Sequence, residues 1–544
     1  MPIPRSVIRA CHPLAAAALL AVPPAAGAQE PAHHHATGPL GRVVFPVSCA
    51  PEAQRRFEHA MAVLHSFWWE EGDQAFGAVL QADSNCAMAH WGLALNAWNN
   101  PFGSGPSGPT LARGAEAAAR ALAIGGRTAR ERGFIAATAA LYRDAESTTN
   151  AARLTAYADT MARLHGDNLD DLEVTIYYAL ALLATASRTD TTFARQKQAI
   201  AILEPLYARH PDHPGLAHYL IHATDSPKLA SLGLSAARRY ARIAPSAPHA
   251  QHMPSHIFVR LGLWDETAAS NGKSYDAGVA YSKATGLPGI APHEFHALDY
   301  TVYALLQQGR DSSARAAVDV AREATTVRSI NTLVGGYNRT AMEARLSLER
   351  GDWAAAADFQ AEDAPDFPIV AALGRFTRGI GAARSGRLEQ ARTEIAALDT
   401  LAGALATRQE GYWARVVAIK RDAVGAWIRL AAGDTTGALA LARAAADSEE
   451  VTDKHPVTPA ELLPARELEA DLLLAAGRYD DAFRSYRLTL TREPGRARSL
   501  FGAARAAELA GDHAAAKTGY RDFLRLMEKG DGRRPELATA QAFR

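Results

Sequence analysis

The sequence predicts an all-α fold built as an α-α solenoid, a superhelix of stacked helical pairs, and three observations carry that expectation. Gly477, Tyr479, Ala482 and Tyr486 recur at a constant offset of 34 as Gly511, His513, Ala516 and Tyr520, with Pro494 between them where a helix should stop. Further turn glycines stand at Gly262, Gly309, Gly351, Gly386 and Gly433, at spacings of 35 to 47. Aromatic residues are only 7% of the chain, Ala and Leu abound, and alternating Val/Ile/Thr runs of the kind strands require are almost lacking.

A turn glycine followed by an aromatic, an alanine and a second aromatic at this period resembles the tetratricopeptide repeat. That resemblance implies about nine to eleven helix-turn-helix units in a right-handed superhelix with a concave inner face. Each unit buries its apolar face only against its neighbours. At the N-terminal end Trp69, Phe76 and Ala89-His90-Trp91-Gly92-Leu93 fit the pattern more loosely.

Taken in order, the elements begin with an export signal over residues 1–28. Arg5 and Arg9 precede the apolar Leu14–Val22, and Ala26-Gly27-Ala28 supplies a cleavage site before Gln29. That apolar run is too short to span a bilayer and no other approaches the length required, so no membrane span is expected. Residues 29–48 read as a leader that includes His33-His34-His35, a weak metal scavenger at most. The mature chain keeps Cys49 and Cys86, read as a disulfide in an oxidising, periplasmic or extracellular setting. An N-terminal array is expected over 49–310 and a C-terminal array over 311–544.

Within the first array, Phe67-Trp68-Trp69, Trp91 and Trp98 are expected in the core, as are His65 and His90. The Gly/Pro/Ser stretch Pro101–Pro109 reads as a surface loop, with a lid over the groove as the alternative. Lys+Arg and Asp+Glu are both 58 and no long basic run occurs, which excludes binding to nucleic acid through its phosphates.

Histidine is the residue that points to chemistry. Nine of the 19 lie between His210 and His296. His249, His252 and His256 stand at offsets of 13, 10 and 6 ahead of Gly262, and His296, Asp299 and Tyr303 stand at the same offsets ahead of Gly309. Such i, i+3, i+7 spacing puts each trio on one helical face. His218 and His222 precede His252 and His256 at the offset of 34 that also relates the last two turn glycines. In tetratricopeptide repeats these places fall on the inner helix, facing the groove. Histidines at i and i+4 can converge on one ion, so His218, His222, His252 and His256 are the candidate metal ligands, with Zn, Cu or Fe as the ion. His293 and Glu294 add donors just before the third helix.

The groove candidates are His249, His296, Asp299, Tyr303, Asn338 and Arg345. Beyond them, before Gly386, the same offsets become apolar as Leu373, Phe376 and Ile380. Asp170, Glu173 and Tyr177 repeat the spacing without a turn glycine to fix their register, while His210 and His213 look like loop residues. Glu294, Asp299 and Tyr303 are the candidates for proton transfer if the groove is catalytic. No phosphate loop, nucleophile elbow or dinucleotide fingerprint accompanies them.

Phe45-Pro46-Val47-Ser48-Cys49, Leu64-His65-Ser66-Phe67-Trp68-Trp69, His218-Tyr219-Leu220-Ile221-His222 and His252-Met253-Pro254-Ser255-His256 are similar to a family of exported bacterial tetratricopeptide proteins over residues 45–310. The resemblance implies fold and export but no reaction. Pro254 departs from an ideal repeat and should kink its helix, separating His249 from His256. The functional expectation is an exported scaffold whose concave groove holds a peptide or protein partner, with or without a bound transition metal. The alternative is a metal-dependent hydrolase or oxidoreductase with its active site in the His-rich groove.

Overall fold

Each predicted turn glycine from Gly262 to Gly511 has φ between 65° and 85°, the left-handed conformation that ends a helix without a Cβ clash. Asp follows the glycine at 352, 434 and 512, and its side chain accepts from the backbone N–H of Ala355, Gly437 and Ala515. Gly-Asp thus closes one helix and caps the next.

In a computed structural model the described residues are 38–543, apart from 104, 325, 329–332 and 362. The expected signal segment 1–28 and the His33-His34-His35 tract lie outside them. Helices make up 73% of the described residues, among which there is no strand. Helices pair in sequence order from Pro51–His65 with Trp69–Ala82 to Ala497–Leu509 with His513–Leu526, giving twelve hairpins among the described residues. A terminal helix, Glu536–Ala542, packs on the last hairpin. This exceeds the sequence expectation because the N-terminal hairpins lack glycine turns.

Of the stretch expected as a leader, residues 38–48 are packed against the array. Arg42 N–H donates to Asp212 O at 3.0 Å. Phe45 is fully buried between Phe57, Trp91 and Phe134, at centroid distances of 5.2, 5.7 and 5.2 Å, under the Arg130 guanidinium. An aromatic residue with that much apolar surface gains more by docking than by staying in water. Cys49 and Cys86 form the expected disulfide, tying this segment to the start of helix Ala87–Trp98.

The array curls until late repeats touch middle ones. Trp264 Nε1 donates to Gly495 O at 3.0 Å, and a Cβ on Gly262 would meet Pro494 O. Arg534 donates to Leu306 O and Glu349 O. The non-helical segment 452–464 crosses the inner face, held by Arg345, which donates to Asp299 Oδ1, Thr458 Oγ1 and Ala460 O at 2.9, 2.9 and 2.8 Å. The interior is therefore closed by the chain itself. No helix among the described residues is long and apolar enough to cross a membrane.

The disulfide joins residues 37 apart, and closing such a loop restricts the unfolded chain by about 4 kcal/mol. Replacing both cysteines by serine is expected to cost about 2–4 kcal/mol in urea unfolding. An unchanged midpoint would mean that Phe45 packing alone fixes the segment.

Candidate metal centre

Three inner helices bring the histidines together. Pro214–Thr224 carries His218 and His222, and Pro292–Gln307 carries His296. Between them, Pro254 interrupts one helix into Pro248–His252 and Pro254–Arg260. Met253 at the break keeps helical dihedrals (φ −52°, ψ −37°), so the direction persists and His252 and His256 stay one turn apart.

The four expected ligands do not converge on one point. They divide into two triads, each completed by a further histidine: His218, His222 and His249, and His252, His256 and His296. Within each triad one nitrogen per ring lies within 4.8 Å of the others. His249 and His256 serve different triads, but the division does not fall at Pro254: His249 and His252 both precede it and part, while His252 and His256 straddle it and share a triad. In the first triad His222 Nε2 and His249 Nε2 stand 3.1 and 3.2 Å from His218 Nε2. In the second, His252 Nε2 is 2.9 Å from His256 Nε2.

The protons on these rings follow from their outer partners. His218 Nδ1 lies 2.7 Å from the His65 carbonyl, which can only accept. His252 Nδ1 lies 2.6 Å from Asn271 Oδ1, and Asn271 Nδ2 donates to Thr267 O, so the amide oxygen faces the ring. His256 Nδ1 lies 2.9 Å from Asp225 Oδ2, and His296 Nδ1 3.3 Å from Asn338 Oδ1, whose Nδ2 donates to Val334 O. On His218, His252 and His256, Nδ1 therefore carries the hydrogen and Nε2 a lone pair. His252 and His256 turn two lone pairs toward each other at hydrogen-bond distance. That arrangement is repulsive until a cation engages both.

A proton is a poor candidate for that cation. Burial pushes all six imidazoles below their ordinary range, and neighbouring histidines add to the effect at each except His256, where Lys454 and Arg260 do so. His296 is pushed down to about 3 by burial and then by His256. His256 is lowered by burial despite Asp225, whose carboxylate supports the charged form. Asp225 stays ionised: burial raises its pKa, but Lys454, Arg260 and His256 hold it well below the usual range. Neutral imidazoles with fixed tautomers and inward lone pairs are what a transition metal requires, and a carboxylate behind one ring orients it and raises its basicity.

His65, Glu173 and His213 make a third cluster of different character. His65 Nε2 and His213 Nε2 donate to the two Glu173 oxygens at 3.0 and 2.9 Å, and Tyr219 OH donates to His65 Nδ1. Both carboxylate oxygens have partners, so this cluster is a buried support whose backbone at His65 fixes His218. Gly215 permits it, since a Cβ there would meet His65 Nδ1.

Aromatic rings wall the first triad. Phe67 lies with its centroid 4.4 Å from His218 and 5.7 Å from His249, on a strained backbone with φ of 51°. Phe102, from the Pro101–Pro109 stretch, covers His222 at 4.3 Å. A cavity of about 230 Å³ opens beside them, lined by Phe102, Arg188, His222, Asp225, Lys228 and Lys454.

The remaining candidates sit elsewhere in the interior. Asp299 and Arg345 form a fully buried ion pair under segment 452–464. Tyr303 donates to Glu493 Oε2 and accepts from Arg496. Glu294 accepts from the Ala291 N–H with one oxygen, capping its own helix, and burial raises its pKa. His90 is half-exposed rather than in the core, while His65, Trp68, Trp91 and Trp98 are buried as expected.

Asp225, Asn271, Phe102 and Lys454 escaped the sequence reading. Asp225 follows His222 by less than one helical turn, a spacing that places it near that face. Asn271 lies on an outer helix and Lys454 in a distant segment, with no periodic signal.

No family model and no curated protein sequence matches the chain. Among solved structures it is similar to a monomeric mutant of IFIT1 with Gppp-AAAA, at 12% identity and a TM-score of 0.33, over 77% of this chain and 85% of that one. It is also similar to yeast Tom70, at 10% identity and 0.32, over 90% and 95%. Overlaps this slight assign neither family nor function.

The support cluster gives a pH signature. Burial raises the Glu173 pKa, but His213 and His65 lower it further, well below the ordinary 4.5. A depressed carboxyl contributes stability above the unfolded pKa that is lost as pH falls through the folded value. His65, lowered by burial, acts in the same direction below about 6.5. Thermal stability is expected to fall from pH 6.5 downward and steeply below 4.5, with the Glu173→Gln variant flatter over that acid range. A variant with the wild-type slope would contradict this assignment.

Proposed function

We propose that this chain is an exported, metal-dependent enzyme acting on a small molecule, with a transition metal held by the histidine triads. The observation that carries the reading is the 2.9 Å approach of His252 Nε2 to His256 Nε2 while both Nδ1 atoms are committed to Asn271 and Asp225. Three neutral imidazoles with room for a further ligand suit Zn, Cu or Fe, and such an ion activates water or carries electrons.

The chain's own residues supply the rest. Asp225 fixes His256 and is itself held by Arg260, with Nε 2.8 Å from Oδ1. Tyr300 donates to Thr458 O at 3.1 Å and packs against His252, His256 and His296, keeping that side dry. The cavity beside His222 gives a small substrate its way in, and Phe67 and Phe102 limit the water that accompanies it. Export agrees with the Cys49–Cys86 disulfide, since such bonds persist in oxidising compartments.

A second reading, capture of a peptide or protein partner, is favoured by a groove of about 690 Å³ between helices Ala87–Trp98 and Gly108–Ile124. It is lined by Asp73, His90, Leu93, Arg113 and Arg120. It lies on different residues from the histidine triads.

Elemental analysis of the untagged protein, purified without added metal or chelator, tests the first reading. Near-stoichiometric Zn, Cu or Fe is expected, falling at least several-fold in the His252→Ala/His256→Ala variant. No metal in either protein, even after each ion is added back, would sink it.

A further inference from the structure

Building on the metal reading above, we infer that the two triads form one dinuclear copper centre that takes a small bridging anion between its ions. The first ground is repeat symmetry. His218 and His222 recur one repeat later as His252 and His256. Each pair is completed from the next inner helix by a histidine at the same place ahead of a turn glycine, His249 before Gly262 and His296 before Gly309. The array therefore builds the same three-imidazole nest twice, one repeat apart.

The second ground is adjacency. His249 and His252 share one stretch of helix yet serve different triads, with ring centroids 6.0 Å apart, and His222 faces His256 at 6.2 Å. Within the second triad His256 and His296 are already 6.1 Å apart. The gap between triads is thus comparable with one inside a triad. Ions seated in both would be neighbours, and two-metal sites in general place their ions close enough for one ligand to touch both.

The third ground is charge. All six donors are neutral imidazoles, and the nearby Asp225 carboxylate is already matched by Arg260, Lys454 and the His256 N–H. Two divalent ions would bury four positive charges with no counter-charge, whereas two Cu(I) ions bury half as much. Imidazole suits copper, which also leads the affinity order among divalent first-row ions. When both ions are Cu(II), the surplus charge calls for a small anion, such as hydroxide or azide, in the gap. His222 lines the cavity beside it, so the anion has a route in.

The test loads the metal-free full chain with Cu(II), removes the excess and adds azide, then compares copper per chain with integrated EPR intensity. Two coppers per chain with little EPR signal are expected, because a bridging anion couples the two spins. His222→Ala, which removes a ligand of the first triad only, is expected to hold one copper and to show one full spin per chain. Circular-dichroism melting establishes that this variant is folded; if it is not, His249→Ala serves in its place. Two coppers with two independent spins would overturn the shared centre. One copper per chain that His222→Ala leaves and His252→Ala removes would also overturn it, while leaving the metal reading intact. No copper in any form would overturn the copper centre, while the metal reading would still be decided by the Zn and Fe content of the purified protein.

Discussion

The hydrogen bond from His256 Nδ1 to the Asp225 carboxylate sets the character of the whole interior. Because Asp225 is held ionised by Arg260 and Lys454, the proton must sit on the histidine, and the ring's lone pair must face inward. The same logic, with a carbonyl or an amide in place of the carboxylate, fixes His218 and His252. Three lone pairs are thereby aimed into a space that burial keeps free of protons. Removing Asp225 would free His256 to turn over and leave Arg260 held by Asp453, without its 2.8 Å contact to Asp225.

Everything else in the fold serves to keep that set of partners in place. Asp225 ends one inner helix, Asn271 lies on an outer helix, and Lys454 belongs to a segment that reaches the site only because the superhelix curls back on itself. Arg345 and Tyr300 pin that segment through Thr458 and Ala460. On the other side His65, locked by Glu173 and Tyr219, offers its carbonyl to His218. A repeat array usually leaves its concave face open. Here the face is filled, and the cavity beside His222 leads inward.

What could be read from the sequence was whatever repeats. Turn glycines and the i, i+3, i+7 histidine spacing are local, periodic signals, and they placed the inner helices and the triad histidines on one shared face. The division into two triads was not legible, because it depends on how far one inner helix is displaced from the next, a tertiary quantity. Pro254 was no guide to it, since His252 and His256 straddle that residue and share a triad while His249 and His252 both precede it and do not. Asp299, Tyr303 and Arg345 lie buried in the interior. Their partners Thr458, Glu493 and Arg496 lie far along the chain in aperiodic sequence, so the closure of the groove could not be seen. Phe45 was lost in an apparent leader for the opposite reason: one aromatic residue in a short extended segment has no period at all.

Nitrogen-15 NMR of the metal-free protein, with label confined to histidine and assigned by single substitutions, tests the central claim most directly. Protonated Nδ1 and bare Nε2 on His218, His252 and His256 at neutral pH are the expected result. A proton found on Nε2 of His252 or His256 would contradict it, because the short contact would then be an ordinary hydrogen bond and no cation would be required.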